Sequence, residues 1–437
     1  MKGKITAACI GAILAGPAAA DEVSDLRVQM KTILQRLETI EAERTAAKSA
    51  AVAQPSAAAS VSAAAAQPVT GAVTGGDVKG SFKLPGSDTS VTIGGYVKAV
   101  GIYSSVSAGA NNAGDELLIP ATIPVGKAPI TDKVKFHARE SRLAIGTYTP
   151  TPYAPLTTLI EADFFGSNGT ETGTNSHGLR IRHAWATFGG FSAGQYWSNL
   201  YNLSALPESI DFAPQQGSLG GVRQTGFRWT SPFAGGFWSV AVENPDSYLS
   251  LPATTSPDAD TQPDLSARIH FRAPLGEYEV AGLARRLKSN TDAGSANAYA
   301  VAVSGVLPVL ANNDFKFQLA YGDGAGRYLG GLGTVLDAAV SNHQLKTIQT
   351  FSGYAAYRHR WTPTLRSNLM YSWIHADNPE GTAATLVDRF WSSHANLIWS
   401  PVSNVDFGIE YLHAYRRQQN AQDGALDRVI LSAKYSF

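Results

Sequence analysis

From residue 91 to the end of the chain, apolar and polar side chains alternate with a period of two. In the last stretch, DRVILSAKYSF, the apolar residues Val429, Leu431, Tyr435 and Phe437 stand at alternate positions. Successive side chains of a β-strand point to opposite faces, so this pattern predicts strands with one apolar face. The stretches PLTTLIEADFF, DLSARIHFRAP and VDFGIEYLHAYRR repeat it.

The alternation divides the chain into about sixteen segments, which begin near residues 91, 134, 154, 178, 191, 222, 236, 264, 277, 297, 314, 346, 364, 388, 403 and 425. Connections after even-numbered segments are short and rich in turn residues, whereas those after odd-numbered segments are mostly long. Short turns at one end, long loops at the other and an even strand number are typical of a transmembrane β-barrel. Lipid cannot hydrogen-bond an open sheet edge, so such strands must close on themselves. We therefore predict an all-β fold, an antiparallel transmembrane β-barrel of about sixteen strands over residues 79–437, in which the last strand pairs with the first strand near Val91.

The first 78 residues have a different pattern. Residues 1–20 combine Lys2 and Lys4 with an apolar run and an A-x-A sequence, which predicts a secretory signal peptide. The alternative is a membrane anchor, although the run is shorter than a membrane span requires. In residues 21–45, apolar side chains recur at spacings of three and four, which predicts a short α-helical coiled coil or, alternatively, an amphipathic helix packed on a domain. Residues 46–78 are an Ala/Ser-rich linker, so this helix has no local partner and we expect it to pair with other copies of itself in an oligomer. Its heptad pattern disfavours a dimer and is compatible with a trimer.

Aromatic residues lie near the ends of the predicted strands. They are Tyr148, Phe188, Trp229, Phe233, Trp238, Trp361, Trp373, Trp391, Trp399 and Tyr435. Girdles of aromatic residues at the two membrane interfaces are typical of outer-membrane barrels. The alternative is that these residues form the core of a soluble β protein.

A barrel of this size is wide enough for an aqueous lumen, so a selective channel needs a narrower section. Residues 198–221, between the fifth and sixth segments, form a long connection with several apolar residues, among them Leu200, Leu206 and Phe212. We interpret it as a constriction loop folded into the pore, with Glu208 and Asp211 as its acidic residues. The alternative is an ordinary extracellular loop.

The alternation also places a set of basic residues on the lumen side. They are Lys98, Arg142, Arg180, Arg182, Arg223 and Arg228. In LRIRHAW, we expect Leu179, Ile181 and Trp185 to face lipid, so that Arg180 and Arg182 face inward. Guanidinium groups keep their charge and bind carboxylates through two hydrogen bonds, which suits the passage of small organic anions.

A structural role for these arginines is the alternative. The acidic residues Glu140, Glu161, Asp163, Glu208 and Asp211 fall in the same region and would pair with them. His183 fits poorly on the lipid-facing side, which indicates either a subunit contact or a different register in this strand.

Composition and charge exclude several classes of function. Without the signal segment the chain has 33 basic and 35 acidic residues, and this net charge of −2 argues against nucleic acid as a partner. Cys9, the single cysteine, lies in the signal segment, so thiol chemistry is not expected. The sequence has no H-E-x-x-H, C-x-x-C or G-x-S-x-G motif, and we predict neither an enzyme nor a cofactor.

Several stretches together resemble the DcaP-like porins of Gram-negative outer membranes. They are GSFKLPGSDTSVTIGGYVKA, RESRLAIGTYTPT, LIEADFFG, LRIRHAWATFGGFSAGQYWSNLYNLSALPESIDF and VRQTGFRW. The resemblance implies a homotrimeric, sixteen-stranded porin with a periplasmic coiled coil, which passes dicarboxylates and related small anions. It also implies that Lys98, Arg142, Arg180, Arg182 and Arg223 occupy motif positions of the family.

We therefore expect a passive diffusion channel for small anionic solutes in the outer membrane of a Gram-negative bacterium, with the coiled coil in the periplasm. The expected partners are two further copies of the chain, small anions, outer-membrane lipid, lipopolysaccharide and peptidoglycan. Two other functions stay open: a structural tether of the envelope that acts through the coiled coil, and an outer-membrane hydrolase.

Overall fold

Strands make up most of the chain in the computed structural model. The structure describes residues 74–109, 113–167, 169, 172–213, 216–250, 259–310, 312–329 and 333–437. These residues belong to one of two units of the chain, Thr70–Phe437. The predicted signal peptide and coiled coil, and most of the predicted linker, lie outside the described residues.

The described strands are β1 (Phe82–Lys83), β2 (Ser90–Val106), β3 (Thr131–His137), β4 (Arg142–Thr149), β5 (Leu156–Asp163), β6 (Arg180–Phe188), β7 (Phe191–Trp197), β8 (Arg223–Phe233), β9 (Gly236–Glu243), β10 (Leu249–Ser250), β11 (Asp264–Ala273), β12 (Gly276–Lys288), β13 (Ser295–Val309), β14 (Asn313–Asp323), β15 (Ala338–Ser341), β16 (Gln344–Thr347), β17 (Gln349–Arg360), β18 (Leu365–Asp377), β19 (Val387–Val402), β20 (Val405–Gln418) and β21 (Asp423–Ser436). Short 3₁₀ turns occur at Ala113–Asp115, Pro120–Thr122, Leu203–Ala205 and Gly326–Tyr328. No helix in the described part of the chain is long and apolar enough to cross a membrane.

Antiparallel pairing closes these strands into a barrel. The last strand, β21, pairs with β2 from Tyr96 opposite Ser436 to Ser104 opposite Arg428. The other edge of β2 pairs with β4 in its first half and with β3 in its second half, so β3 and β4 act as one interrupted strand. Counted this way, and with the short strand β1 and the separate sheet of β10, β15 and β16 left outside, the described strands form a ring of sixteen. The predicted fold class and strand number are confirmed.

The connections are sorted between the two ends of the barrel. The turns β6–β7, β8–β9 and β11–β12 each contain two residues, 189–190, 234–235 and 274–275. The opposite end carries the long segments 107–130, 164–179, 198–222, 244–263 and 324–348, with β10, β15 and β16 inside two of them. We call these ends the short-turn end and the long-loop end.

The outer surface of the barrel is apolar, as the alternation predicts. On β21, Leu431 is 54% exposed, and Phe437, directly after the strand, is 55% exposed. Ile430, which precedes Leu431 in the same strand, is only 1% exposed because it faces the interior. The predicted aromatic residues at the short-turn end are exposed as well, among them Trp229 and Trp399. An apolar exterior on a closed sheet is the surface that lipid can solvate.

The interior contains more inserted chain than the single constriction loop that the sequence predicts. Buried apolar residues of the long segments, such as Leu118, Leu200, Leu219 and Tyr328, form one cluster with inward-facing wall residues. The described parts of the segments 107–130, 198–222 and 324–348 therefore fill part of the barrel with an apolar core. Alternation on a strand says only which side is inward, and long loops that enter the barrel bring apolar residues of their own.

Candidate solute-binding site in the lumen

Residues 198–213 and 216–221 lie inside the barrel and cross its interior. Their side chains and backbone are hydrogen-bonded to strands far from β7 and β8: Asn202 Nδ2 donates to Ser304 Oγ at 2.9 Å, and Ile210 N donates to Glu410 Oε2 at 2.7 Å. The wall residues that hold the segment are Lys98 of β2, Ser304 of β13, Lys316 of β14, Tyr354 of β17, Arg366 of β18, Asn396 of β19 and Glu410 of β20. Since these strands surround the lumen, the segment narrows it.

Two acidic residues of this segment are anchors. Glu208 accepts hydrogen bonds from Arg366 Nε at 2.8 Å and from Arg366 Nη2 at 2.6 Å. Burial raises the pKa of Glu208, but its hydrogen bonds to Arg366 and the charge of that residue lower it more, so the pKa lies below its usual value. Asp211 accepts from the backbone N–H groups of Leu118 at 3.2 Å and Ala213 at 2.9 Å. Its complete burial raises the pKa of its carboxyl group, an effect that the charge of Arg428 only partly offsets.

A β-bulge sets the direction of the side chains in the middle of β6. Glu161 pairs with His183 and Ala162 pairs with Ile181, so Arg182 has no partner on β5. Gln195 Nε2 donates to the carbonyl oxygens of Ile181 at 3.2 Å and Arg182 at 3.3 Å, which satisfies the backbone at this irregularity. A bulge inserts one extra residue and changes the phase of the strand beyond it.

The bulge explains why His183 faces the interior, and it overturns the predicted orientation of Trp185. Arg182 and His183 are both buried, at 2% and 4% exposure, while Ile181 is exposed to the outside. Beyond the bulge, the odd-numbered residues of β6 face the lumen. The prediction that Trp185 faces lipid is therefore wrong. The Trp185 ring instead stacks on Tyr196 and lies 5.3 Å below the guanidinium carbon of Arg228. His183 thus marks the change of register and not a subunit contact.

Four of the six basic residues predicted from the sequence come together around two acidic residues of β5. Arg180 binds Asp163 through two hydrogen bonds, of 2.9 and 2.7 Å, and Arg182 binds both Glu161 at 2.5 Å and Asp163 at 2.9 Å. Arg142 Nη1 is 3.7 Å from Glu161. The fourth residue, Arg223, has no ion pair among the described residues, and its buried Nη1 atom has no hydrogen-bond partner. Four guanidinium groups therefore face two carboxylates.

Aromatic rings hold these guanidinium groups in place. The Phe212 ring of the inserted segment lies 5.4 to 5.9 Å from the guanidinium carbons of Arg142, Arg180 and Arg182. Arg223 lies 4.8 Å above the ring of Trp197. Such cation–π contacts stabilise the charges without neutralising them. The cluster of Arg142, Arg180, Arg182 and Arg223 is called the arginine cluster below.

The other two predicted basic residues lie apart from the cluster. Lys98 is 8% exposed, and its Nζ donates to Glu140 at 2.5 Å and to the carbonyl oxygen of Ile210 at 2.8 Å, so it also holds the inserted segment. Arg228 faces the lumen nearer the short-turn end and donates to the Trp197 carbonyl oxygen at 2.8 Å.

Sequence reasoning missed a second set of lumen-facing basic residues. They are Arg268, Lys316, Arg358, Arg366 and Lys434. The alternation on β14, β17 and β18 could have revealed Lys316, Arg358 and Arg366, because most of the residues that face outward in each of these strands are apolar. It also missed Arg327, which lies in the segment between β14 and β15 and has no strand pattern to reveal it. No group of acidic, histidine or cysteine side chains suited to a metal ion occurs among the described residues.

Comparisons with known proteins agree with this architecture. Residues 106–437 match the sequence profile of the family described as DcaP outer membrane protein. The crystal structure of the outer membrane channel DcaP of Acinetobacter baumannii has a TM-score of 0.72 and 26% sequence identity, and the match covers 83% of this chain and 100% of that chain. No curated protein matches the sequence at a significant level.

More distant solved structures share the fold alone. The anion-selective porin from Comamonas acidovorans has a TM-score of 0.54 and 9% identity over 80% of this chain and 100% of that chain. OmpT, an outer membrane protein of Vibrio cholerae, has a TM-score of 0.51 and 10% identity over 81% of this chain and 99% of that chain. Since the family profile covers about three quarters of the sequence, the chain belongs to the DcaP outer membrane protein family and is an outer-membrane porin.

Proposed function

We propose that this porin is a passive diffusion channel for small anionic solutes, with dicarboxylates and related carboxylates as its preferred cargo. The observation that carries the proposal is the excess of guanidinium groups in the arginine cluster, where Arg142, Arg180, Arg182 and Arg223 meet only Glu161 and Asp163. Rings of basic residues favour anions in a pore. The anion selectivity of the Comamonas porin, which shares the fold, is in line with this proposal.

The cluster can bind a carboxylate weakly enough to release it. Arg180 and Arg182 already hold acidic partners, so an arriving carboxylate competes with Asp163 and Glu161 and gains only part of a full ion pair. Arg223 has no acidic partner among the described residues, and its buried Nη1 atom has no hydrogen-bond partner. Conduction requires sites that a solute can both enter and leave. Arg228 adds positive charge beside the cluster, whereas the charge of Lys98 is paired with Glu140.

Ion selectivity in planar bilayers tests the proposal. Under a KCl gradient, the reversal potential of the wild type should show preference for chloride, and Arg180→Glu plus Arg182→Glu should reduce or invert it. Arg223→Glu should do the same without breaking an ion pair. Arg286→Glu is the matched control, because Arg286 is exposed on the outside of β12, where it contacts Asn297 and Ser295. A wild-type channel that prefers potassium would refute the proposal.

We further propose that the mature protein is a homotrimer whose short-turn end and N-terminal coiled coil face the periplasm. The heptad spacing of residues 21–45 and the resemblance to the porin family support this assembly. Native mass spectrometry of the detergent-solubilised mature chain should give three copies. Deletion of residues 21–45 should weaken the trimer, and a stable monomer of the full mature chain would contradict the proposal.

A further inference from the structure

A cavity of about 370 Å³ lies toward the long-loop end of the lumen, beside the arginine cluster. It is lined by strand ends of β6, β7 and β8, by the inserted segment and by residues of the segments 107–130, 244–263 and 324–348. The side chains that matter here are Arg180, Trp197, Phe212, Arg223, Tyr248 and Arg327. Pockets of this size suit small ligands.

The lining of this cavity is strongly biased toward positive charge. Three guanidinium groups reach it, from Arg180, Arg223 and Arg327, and the acidic residue in its lining is Asp246. Asp246 compensates Arg327 poorly, because its carboxylate is 52% exposed and lies 3.8 Å from Arg327 Nε. Arg223 contributes a buried nitrogen without a hydrogen-bond partner. An anion entering the cavity therefore meets one guanidinium group, that of Arg223, whose charge no carboxylate of the described residues pairs with.

Arg327 reaches this site because a second segment enters the barrel. Its backbone N–H donates to Asp337 at 2.8 Å, and its Nη1 donates to Gln224 Oε1 of β8 at 2.7 Å. The next residue, Tyr328, fixes the turn: its hydroxyl donates to Asp264 at 2.8 Å, and its carbonyl oxygen accepts from Gly220 N at 2.8 Å. The position of Arg327 is therefore set by the wall and by the inserted segment together.

The cavity adjoins the rest of the arginine cluster through Phe212. This ring lines the cavity and lies 5.9 Å from the guanidinium carbon of Arg180, which also lines it. The same ring lies 5.4 Å from Arg182 and 5.8 Å from Arg142, which do not line it. A solute leaving the cavity past Phe212 would meet these two arginines next.

We propose that this cavity is a capture site for small carboxylate anions at the outer side of the constriction, and that Arg327 is a specificity-determining residue of the channel. The site deepens the proposed function and rests on it. Arg180, Arg223 and Arg327 bind the anion from three sides, and the rings of Trp197, Phe212 and Tyr248 exclude part of its hydration shell. Asp246 weakens the site and so assists release.

Single-channel recording with succinate as the probe tests this proposal, with the purified mature protein in planar bilayers. Arg327→Gln should weaken succinate binding by about tenfold, since one charge-assisted hydrogen bond is lost. The association rate should fall more for succinate added at the long-loop side than at the short-turn side, because Arg327 stands at the long-loop side of the constriction. Asp246→Asn should act in the opposite direction and strengthen binding by about threefold. Arg327→Lys should restore part of the affinity.

The outcomes separate this site from the proposed function. If the wild type prefers anions, but Arg327→Gln and Asp246→Asn both bind succinate as the wild type does, the capture site is refuted while the anion channel stands. If the wild type itself prefers cations, the proposed function fails first. Asp246→Asn guards against a folding defect in the arginine variant, because Asp246 is exposed and its change leaves Arg327 in place with its hydrogen bond to Gln224. Unchanged flux of a neutral sugar in both variants should show that the pore width is intact.

Discussion

Glu208 of the inserted segment and Arg366 of β18 form a two-pronged ion pair inside the barrel, with nitrogen–oxygen distances of 2.6 to 2.9 Å. The two residues are 158 positions apart in the sequence. This pair fastens the inserted segment to the wall opposite the strands from which the segment leaves.

We expect Arg366→Gln to loosen the inserted segment. Loss of these charge-assisted hydrogen bonds should cost about 2 kcal/mol of the free energy of unfolding and increase the open-channel current noise. Glu208→Gln should have a similar effect, and the double variant should cost less than the sum, because both changes remove the same interaction. Unfolding by urea and single-channel traces measure the two quantities. Additive effects would show that the pair does not act as a unit.

The same pair predicts a pH dependence. The pKa of Glu208 in the folded protein lies below its ordinary value of 4.5, because Arg366 outweighs the effect of burial. The ionised Glu208 carboxylate therefore stabilises the fold fully above the pKa that this group has in the unfolded chain. The stabilisation is lost as the pH falls through the lowered pKa of the folded protein. Between about pH 5 and pH 3, the wild type should lose stability more steeply than Glu208→Gln, which has no proton to gain at this site. Parallel curves for the two proteins would contradict this expectation.

Gly408 of β20 makes room for Ile210 of the inserted segment. A Cβ atom at position 408 would lie 2.4 Å from Ile210 Cδ1. Gly408→Leu should therefore push the segment off the wall and change the single-channel conductance. Gly282→Leu on β12 is the control, because a Cβ at that position meets no atom closer than 3.9 Å. Equal conductance in the wild type and both variants would show that this contact does not position the segment.

Variants of Arg223 and Arg182 should distinguish an arginine that binds solute from an arginine that stabilises the fold through ion pairs. Arg223→Gln removes a charge without an ionic partner, so anion-over-cation permeability should fall while the free energy of unfolding changes by less than about 1 kcal/mol. Arg182→Gln removes a positive charge that is paired with Glu161 and with the fully buried Asp163. It should lower the free energy of unfolding by about 3 kcal/mol. Reversal potentials and urea unfolding give the two readouts. If Arg223→Gln were the more destabilising variant, its side chain would have a mainly structural role.

The alternation on each strand determines which side chains face outward, and that information is local. Backbone geometry fixes the period of two, so Leu431 and Phe437 could be placed on the lipid side without knowledge of any neighbour. The same rule placed Arg180 and Arg142 in the lumen. It failed at Trp185, because the bulge at Arg182 depends on pairing with β5, which no pattern within β6 records.

Strand alternation is therefore enough to predict a closed barrel, its strand number and the inward side of most strands, since the need to solvate an apolar surface and satisfy every backbone hydrogen bond leaves few other solutions. Loop length also predicts that residues 198–221 enter the pore, but the contacts that hold them there arise from tertiary folding. The contacts Glu208–Arg366, Ile210–Glu410 and Arg327–Gln224 join residues more than a hundred positions apart. Loops have no repeating period, and their positions follow from charges, hydrogen bonds and packing that exist only once the barrel has closed.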